Sequence, residues 1–258
     1  MKPINEKTIV ITGASKGIGE ATARYLAEHG ANIVLAARSA EGIKNIAQEI
    51  TAEGGKASAF PCDVSNYGEV SALINHAIET FGSIDVLVNN AGTIEPIARL
   101  ADSDPSAWSE IVDINLKGVY FGLRAALPSM IAQGSGTIIN ISSGAATSAL
   151  EGWSHYCATK AAVLSLTRCT DKEYREAGIT AVGLSPGTVA TDMQTAIKAS
   201  GINPVSQLDP GVHIPPEWVA KAILFLCGEE GREFAGTDFS LKTDEGRLRA
   251  GLPALQTA

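Results

Sequence analysis

The chain has 258 residues, 45% apolar and 19% charged, enough for a sizeable buried core and too apolar for a disordered chain. A formal net charge of −8 gives no general attraction for nucleic acid or an anionic membrane, so neither partner is expected. Its apolar runs are far shorter than the roughly 20 residues a bilayer span requires, which argues against a membrane helix.

Along the chain, short β-branched runs at 8–11, 32–35, 57–60, 84–88, 137–141 and 179–182 alternate with helical patterns at about 18–29, 41–53, 67–81, 105–132, 153–177 and 216–228. The runs are nearly continuous in apolar residues, as in strands buried on both faces. A single α/β domain over 1–258 follows, a Rossmann-type doubly wound parallel sheet of about seven strands with helices on each side. The seventh strand, 237–241, is weakly signalled. Residues 188–216 carry Gly201, Pro204, Pro210, Gly211, Pro215 and Pro216 and read as a long irregular connection, a candidate substrate lid. The segment 243–258 reads as a tail.

The first strand runs into Thr12-Gly13-Ala14-Ser15-Lys16-Gly17-Ile18-Gly19, where glycines let backbone approach a pyrophosphate at a helix N-terminus. Taken alone, this is as well an ordinary strand-to-helix turn. The second strand ends Ala36-Ala37-Arg38-Ser39, without the carboxylate that would hold an unphosphorylated ribose. Arg38, with Lys16 as a second cation, suits a 2′-phosphate, so NADP(H) is expected ahead of NAD(H). The alternative is two solvated surface charges. Asp63 and Val64 follow the third strand and suit an adenine pocket or a helix cap. Asn89-Asn90-Ala91-Gly92 ends the fourth strand, at the edge where ligands of open α/β sheets bind.

Downstream, Tyr156 and Lys160 stand four apart and share a helix face. A cation beside a phenol favours phenolate and lowers its pKa, fitting Tyr156 to exchange protons with a carbonyl or alcohol. A surface pair on an amphipathic helix is the alternative. His155 points elsewhere and reads as a rim or surface residue; Cys157 reads as a small packing residue. The four cysteines, Cys62, Cys157, Cys169 and Cys227, lack metal-ligand spacing, so no metal is expected. With no signal-like N-terminus, the chain is expected in the cytoplasm.

In this order the motifs Thr12-Gly13-x-x-x-Gly17-x-Gly19, Asn89-Asn90-Ala91-Gly92, Asn115 in Asp113-Ile114-Asn115-Leu116, Ser143 in Asn140-Ile141-Ser142-Ser143, Tyr156-x-x-x-Lys160 and Pro186-Gly187 resemble the short-chain dehydrogenase/reductase family over roughly residues 5 to 242. The resemblance implies an oxidoreductase that interconverts a small carbonyl compound and its alcohol, with Asn115, Ser143, Tyr156 and Lys160 as the catalytic four. Ser143 is preferred to Ser142 by strand alternation and by the family spacing to the tyrosine. Asn115 would hold a water leading to Lys160, and Pro186, Gly187, Val189 and Thr191 would bind the nicotinamide end of the coenzyme.

A homodimer or homotetramer is implied, through helices 105–132 and 153–177, where Ala125, Ala126, Ala161 and Ala162 permit close approach. The usual Asp-Gly-Gly after the last strand is missing, which leaves the C-terminal subunit contact in doubt. Two other functions fit the motifs: a 3-oxoacyl thioester (acyl-carrier-protein) reductase, and a non-catalytic NADPH-binding sensor or scaffold.

Overall fold

A computed structural model of the protein describes residues 4–255. Seven strands form one all-parallel sheet in the order β3-β2-β1-β4-β5-β6-β7. They are β1 (Thr8–Thr12), β2 (Asn32–Ala37), β3 (Lys56–Pro61), β4 (Val86–Asn89), β5 (Gly136–Ile141), β6 (Ile179–Ser185) and β7 (Asp238–Ser240). Every residue of β1, β2, β4 and β6 is buried, as the continuous apolar runs predict, whereas the edge strand β3 is largely half-exposed.

The helices are α1 (Gly17–Glu28), α2 (Ala40–Ala52), α3 (Tyr67–Phe81), α4 (Pro105–Val112), α5 (Gly118–Gln133), α6 (Ser154–Tyr174), α7 (Asp192–Ser200), α8 (Pro216–Leu226) and α9 (Asp244–Arg249). On one face of the sheet, α1 packs on α8, and Leu26, Val219 and Ile223 are buried with Ile9, Ile11 and Phe239. On the other, α3 and α5 cover Val10, Leu87 and Ile138. Each fully buried side chain of this size contributes roughly 1.5–3 kcal/mol of transfer free energy, so two such faces fix the register of the layers.

Two segments are more regular than the sequence suggests. The connection expected to be irregular at 188–216 contains α7 and short 3-10 turns, and the tail contains α9, capped by Thr243 accepting from the Gly246 amide; residues 256–258 of that tail lie outside the described residues. Ala126, expected on a subunit face, is fully buried in the chain's own core, while Ala161 is exposed and Ala125 and Ala162 are half-buried. Among the described residues no helix is long and apolar enough to cross a membrane.

The strand order reverses direction between β1 and β4. That reversal opens a crevice at their carboxyl ends.

Candidate active site

Glycines shape the β1–α1 turn at that crevice. Gly13 has φ +64°, and a Cβ on it would lie 2.8 Å from the Ala91 Cα; one on Gly19 would lie 2.3 Å from the Gly13 carbonyl oxygen. Backbone therefore passes against backbone, with the Asn90 amide packed on both glycines. α1 follows without a side-chain cap, so its first amides point into this turn, while the half-buried Ile18 anchors the helix to the core.

Thr12 and Asn90 clip the two strands together. Thr12 Oγ1 accepts from the Asn90 amide at 3.0 Å and the Ala91 amide at 3.1 Å, and Asn90 Nδ2 donates to the Thr12 and Gly13 carbonyls. Both donors of the Asn90 side chain are thus spent on shaping the turn, leaving its backbone and the neighbouring Ala91 and Gly92 to line the crevice.

At the end of β2, Arg38 is exposed and Ser39 caps α2, with Ser15 of the glycine turn close by. Lys16 of the glycine turn is exposed, and its Nζ pairs with Asp192 Oδ2 at 2.7 Å. Burial works against ionisation of Asp63, but hydrogen bonds from the Ser65 hydroxyl and amide, with the charge of Arg38, hold its carboxyl below the usual range. Val64 packs against Gly118, where a Cβ would lie 2.9 Å from its Cγ2.

Asn115 sits in a π-helical turn, Asp113–Lys117, between α4 and α5; such turns recur at functional sites. Its buried amide donates to the Thr93 carbonyl at 2.8 Å, accepts from the Thr93 amide at 2.9 Å and lies 3.5 Å from Thr159 Oγ1. It fastens the segment after β4 to α6.

Tyr156 and Lys160 are both buried on α6. Lys160 Nζ donates to the Ile141 carbonyl at the end of β5 at 2.6 Å and lies 5.6 Å from the centre of the Tyr156 ring. The Ser143 side chain stands close enough to Tyr156 to favour its phenolate, and its Oγ accepts from the Ala145 amide at 3.2 Å, while the Ser142 Oγ is buried without a partner.

The direction of the phenol's pKa is opposite to that expected from the sequence. Burial pushes it up to about 12 against the help of Ser143, and burial likewise pushes the Lys160 ammonium down to about 8, with Asp238 opposing. The reason is desolvation of the buried phenol, which outweighs the help of Ser143.

His155 is also not a rim residue; it is buried, with Nε2 2.7 Å from the Ile94 carbonyl.

Above Tyr156 an apolar cluster gathers Ile94, Ala145, Trp153 and Ile197, with Met193 and Val205 of the 188–216 connection packed on it. Trp153 meets Tyr156 edge to face at 5.7 Å. Pro186 is buried at the end of β6, and Gly187 follows at φ +83°. Val189 bridges to Ile214, and Thr191 Oγ1 donates to the Val189 carbonyl at 3.3 Å. The Thr191 methyl group lies 3.1 Å from a Cβ placed on Gly17, so the glycine turn and the β6 turn meet across the crevice.

Two further residues border the site without having been picked out by sequence motif. Lys242 lies over Gly187, and Asp238 acts electrostatically on Lys160.

A sequence model of the family described as short chain dehydrogenase matches residues 7–201. The chain is also 37% identical to an uncharacterized oxidoreductase of Staphylococcus aureus strain USA300 over 225 residues, 87% of this chain and 92% of that protein. Another, of Staphylococcus saprophyticus, is 38% identical over 232 residues, 89% of this chain and 93% of its own. The chain belongs to the short-chain dehydrogenase family, oxidoreductases that use nicotinamide coenzymes on small-molecule substrates. Gly13 and Gly19 are required by the turn itself, since Cβ atoms there would collide with backbone, and Gly17, with the Thr191 side chain beside it, keeps the crevice edge free of a side chain of its own, which suits such a coenzyme.

Proposed function

We propose that this protein is an NADPH-dependent reductase that converts a ketone or aldehyde with an apolar body into the alcohol, with Tyr156 as the proton donor. The observation that carries the reading is the buried Tyr156 side chain, set beside Ser143 and Lys160 within an apolar cluster of Ile94, Trp153 and Ile197.

The coenzyme, when bound, supplies or accepts the hydride. Gly13, Ser15, Gly17, Ile18 and Gly19 would hold its pyrophosphate, Arg38 its 2′-phosphate, and Pro186, Gly187, Val189 and Thr191 its nicotinamide end. The Tyr156 phenol is protonated at neutral pH, the form that gives a proton to a carbonyl oxygen. The Ser143 hydroxyl donates to the same oxygen and orients it. Lys160, held by the Ile141 carbonyl, stabilises negative charge as it develops on the phenol. Asn115 keeps α6 in place relative to β4. Met193, Ile197 and Val205 would exclude water as a lid over the substrate.

The assay is NADPH consumption over a panel of ketones, aldehydes and 3-oxoacyl thioesters. Tyr156→Phe should reduce turnover by about 10²–10⁴-fold while leaving coenzyme binding intact. Equal rates in the two proteins would overturn the proton-donor role, and binding without turnover on any carbonyl would favour a sensor.

The proposal includes a homodimer or homotetramer, supported by the exposed Tyr120 on α5 and Ala161 on α6. Tyr120→Glu should lower the mass measured by light scattering; an unchanged mass would place the contact elsewhere.

A further inference from the structure

Lys242 follows β7 and is exposed, as lysines generally are, but its backbone is fixed from both sides. Leu241 before it is buried; its amide donates to the Ser185 carbonyl at 3.0 Å and its carbonyl accepts from Arg247 Nε at 2.9 Å. The Lys242 amide donates to Ser240 Oγ at 3.2 Å, and Thr243 after it donates to the Ser240 carbonyl while capping α9.

From that turn the side chain runs across the site. Gly187, at φ +83°, leaves room for the stem, since a Cβ there would lie 3.1 Å from Lys242 Cγ and 3.7 Å from Cδ. The ammonium reaches the neighbouring turn, with Nζ 3.8 Å from a Cβ placed on Gly144, the residue after Ser143. β5 and β6 are adjacent parallel strands, so the lysine bridges the turns at their carboxyl ends. A lysine that served only solubility would extend into water; this one lies along the edge of the site.

The charge is unspent. Among the described residues Lys242 Nζ enters no ion pair. The cluster around Tyr156 holds a second unmet donor, because Trp153 is 5% exposed and its Nε1 is buried without a partner. A buried donor left unpaired is costly, and a ligand that brings acceptor oxygens offsets that cost.

We infer that Lys242 is a specificity-determining residue and that the substrate is an oxo acid, whose apolar body lies against Trp153 and Ile197 while its carboxylate meets the Lys242 ammonium. The inference rests on the reading of Tyr156 and Ser143 as the groups that hold the carbonyl, and it narrows the substrate of that same site.

NADPH consumption is measured with 4-methyl-2-oxopentanoate and 4-oxopentanoate, each against its methyl ester. The wild type should favour at least one acid over its ester by about tenfold in kcat/KM, between the effect of a screened surface pair and that of a charge-assisted bond in a closed site. Lys242→Met, which keeps the stem over Gly187, should lower the efficiency on that acid far more than on its ester and bring the two together; Lys242→Arg should keep the preference. No preference in the wild type, or an equal loss on acid and ester, overturns the inference. A rise in the NADPH KM alone also overturns it, since the ammonium would then serve a coenzyme phosphate. Should the wild type reduce no carbonyl compound, the proposed function fails, and calorimetry of 4-methylpentanoate, a carboxylate that cannot be reduced here, binding to the chain with NADP⁺ decides the role of Lys242. Binding that is lost in Lys242→Met supports that role; no binding, or equal binding by both proteins, overturns it.

Discussion

Lys16 and Asp192, 176 residues apart in sequence, form an ion pair at 2.7 Å that ties the glycine turn to the first residue of α7. The segment expected to act as a lid is thereby joined to the segment expected to hold phosphate. Lys16 cannot serve the carboxylate and a 2′-phosphate in full at once. Asp192→Asn should therefore lower the NADPH KM a few-fold and leave the NADH KM unchanged. Both side chains are more than 70% exposed, so thermal stability should not move. Steady-state measurements with the two coenzymes check this, and an equal effect on both would count against a phosphate role for Lys16.

Arg38 is the remaining cation at the end of β2, and its charge already acts on Asp63. Arg38→Asp replaces a charge-assisted bond to the 2′-phosphate with repulsion. Such a bond is worth about 1.5–3 kcal/mol, so the ratio of NADPH to NADH efficiency should fall by roughly ten- to a hundredfold. Parallel kinetics with the two coenzymes provide the measurement; a ratio that stays put would make Arg38 a solvated surface charge.

Lys160 gives a pH signature in stability. Its pKa is lowered by burial to about 8 in the folded chain, against an ordinary 10.5, so between these values the unfolded chain binds more protons. Stability from this group accordingly rises with pH across that window. Tyr156 acts in the opposite sense at higher pH, because the folded chain retains its proton between 10 and about 12. Lys160→Met removes the first effect. Urea unfolding at pH 7 and pH 9.5 should show wild type gaining on the variant as pH rises; a constant gap would mean that the lysine is not desolvated in the folded state.

Much of this site was legible because its residues sit in short local patterns. The glycine turn, Asn90-Ala91-Gly92 and Tyr156-x-x-x-Lys160 each lie within one turn or one helix face, and parallel strands read as apolar runs. What escaped depends on distant partners. The pairing of Lys16 with Asp192 needs α7, and α7 itself is a nine-residue helix with one buried side chain, Ile197, between proline- and glycine-rich flanks. The six-residue α9 contains a glycine, which lowers its helical signal. The raised pKa of Tyr156 follows from burial under Trp153 and Ile197, which spacing along one helix does not report.

Asn115 shows what a mid-helix amide does when the helix widens around it. Its side chain satisfies both the N–H and the C=O of Thr93 from within the π turn. Asn115→Leu would leave those two backbone groups unpaired, at about 1–3 kcal/mol each where they stay dry. The variant should unfold at lower urea concentration and lose turnover. Asn115→Asp, which keeps the acceptor for the Thr93 amide and loses the donor, should fall between the two. Equal stability of all three proteins would deny that the clip holds α6 against β4.

Two glycine substitutions separate conformational strain from steric collision. Gly82 ends α3 at φ +87° with nothing within 4 Å of an added Cβ, so Gly82→Ala meets only the left-handed penalty, about 1 kcal/mol. Gly19 has an ordinary φ, but its Cβ would lie 2.3 Å from the Gly13 carbonyl oxygen and 2.8 Å from the Ala14 Cα. Neither neighbour is a flexible side-chain end that can swing away, so the glycine turn itself must move. Gly19→Ala should therefore cost more stability than Gly82→Ala, and any protein that folds should bind NADPH much more weakly, whereas Gly82→Ala should bind it as wild type does. Urea unfolding and fluorescence titration with NADPH measure the two effects. A Gly19→Ala protein with wild-type affinity would show that the turn does not hold the pyrophosphate.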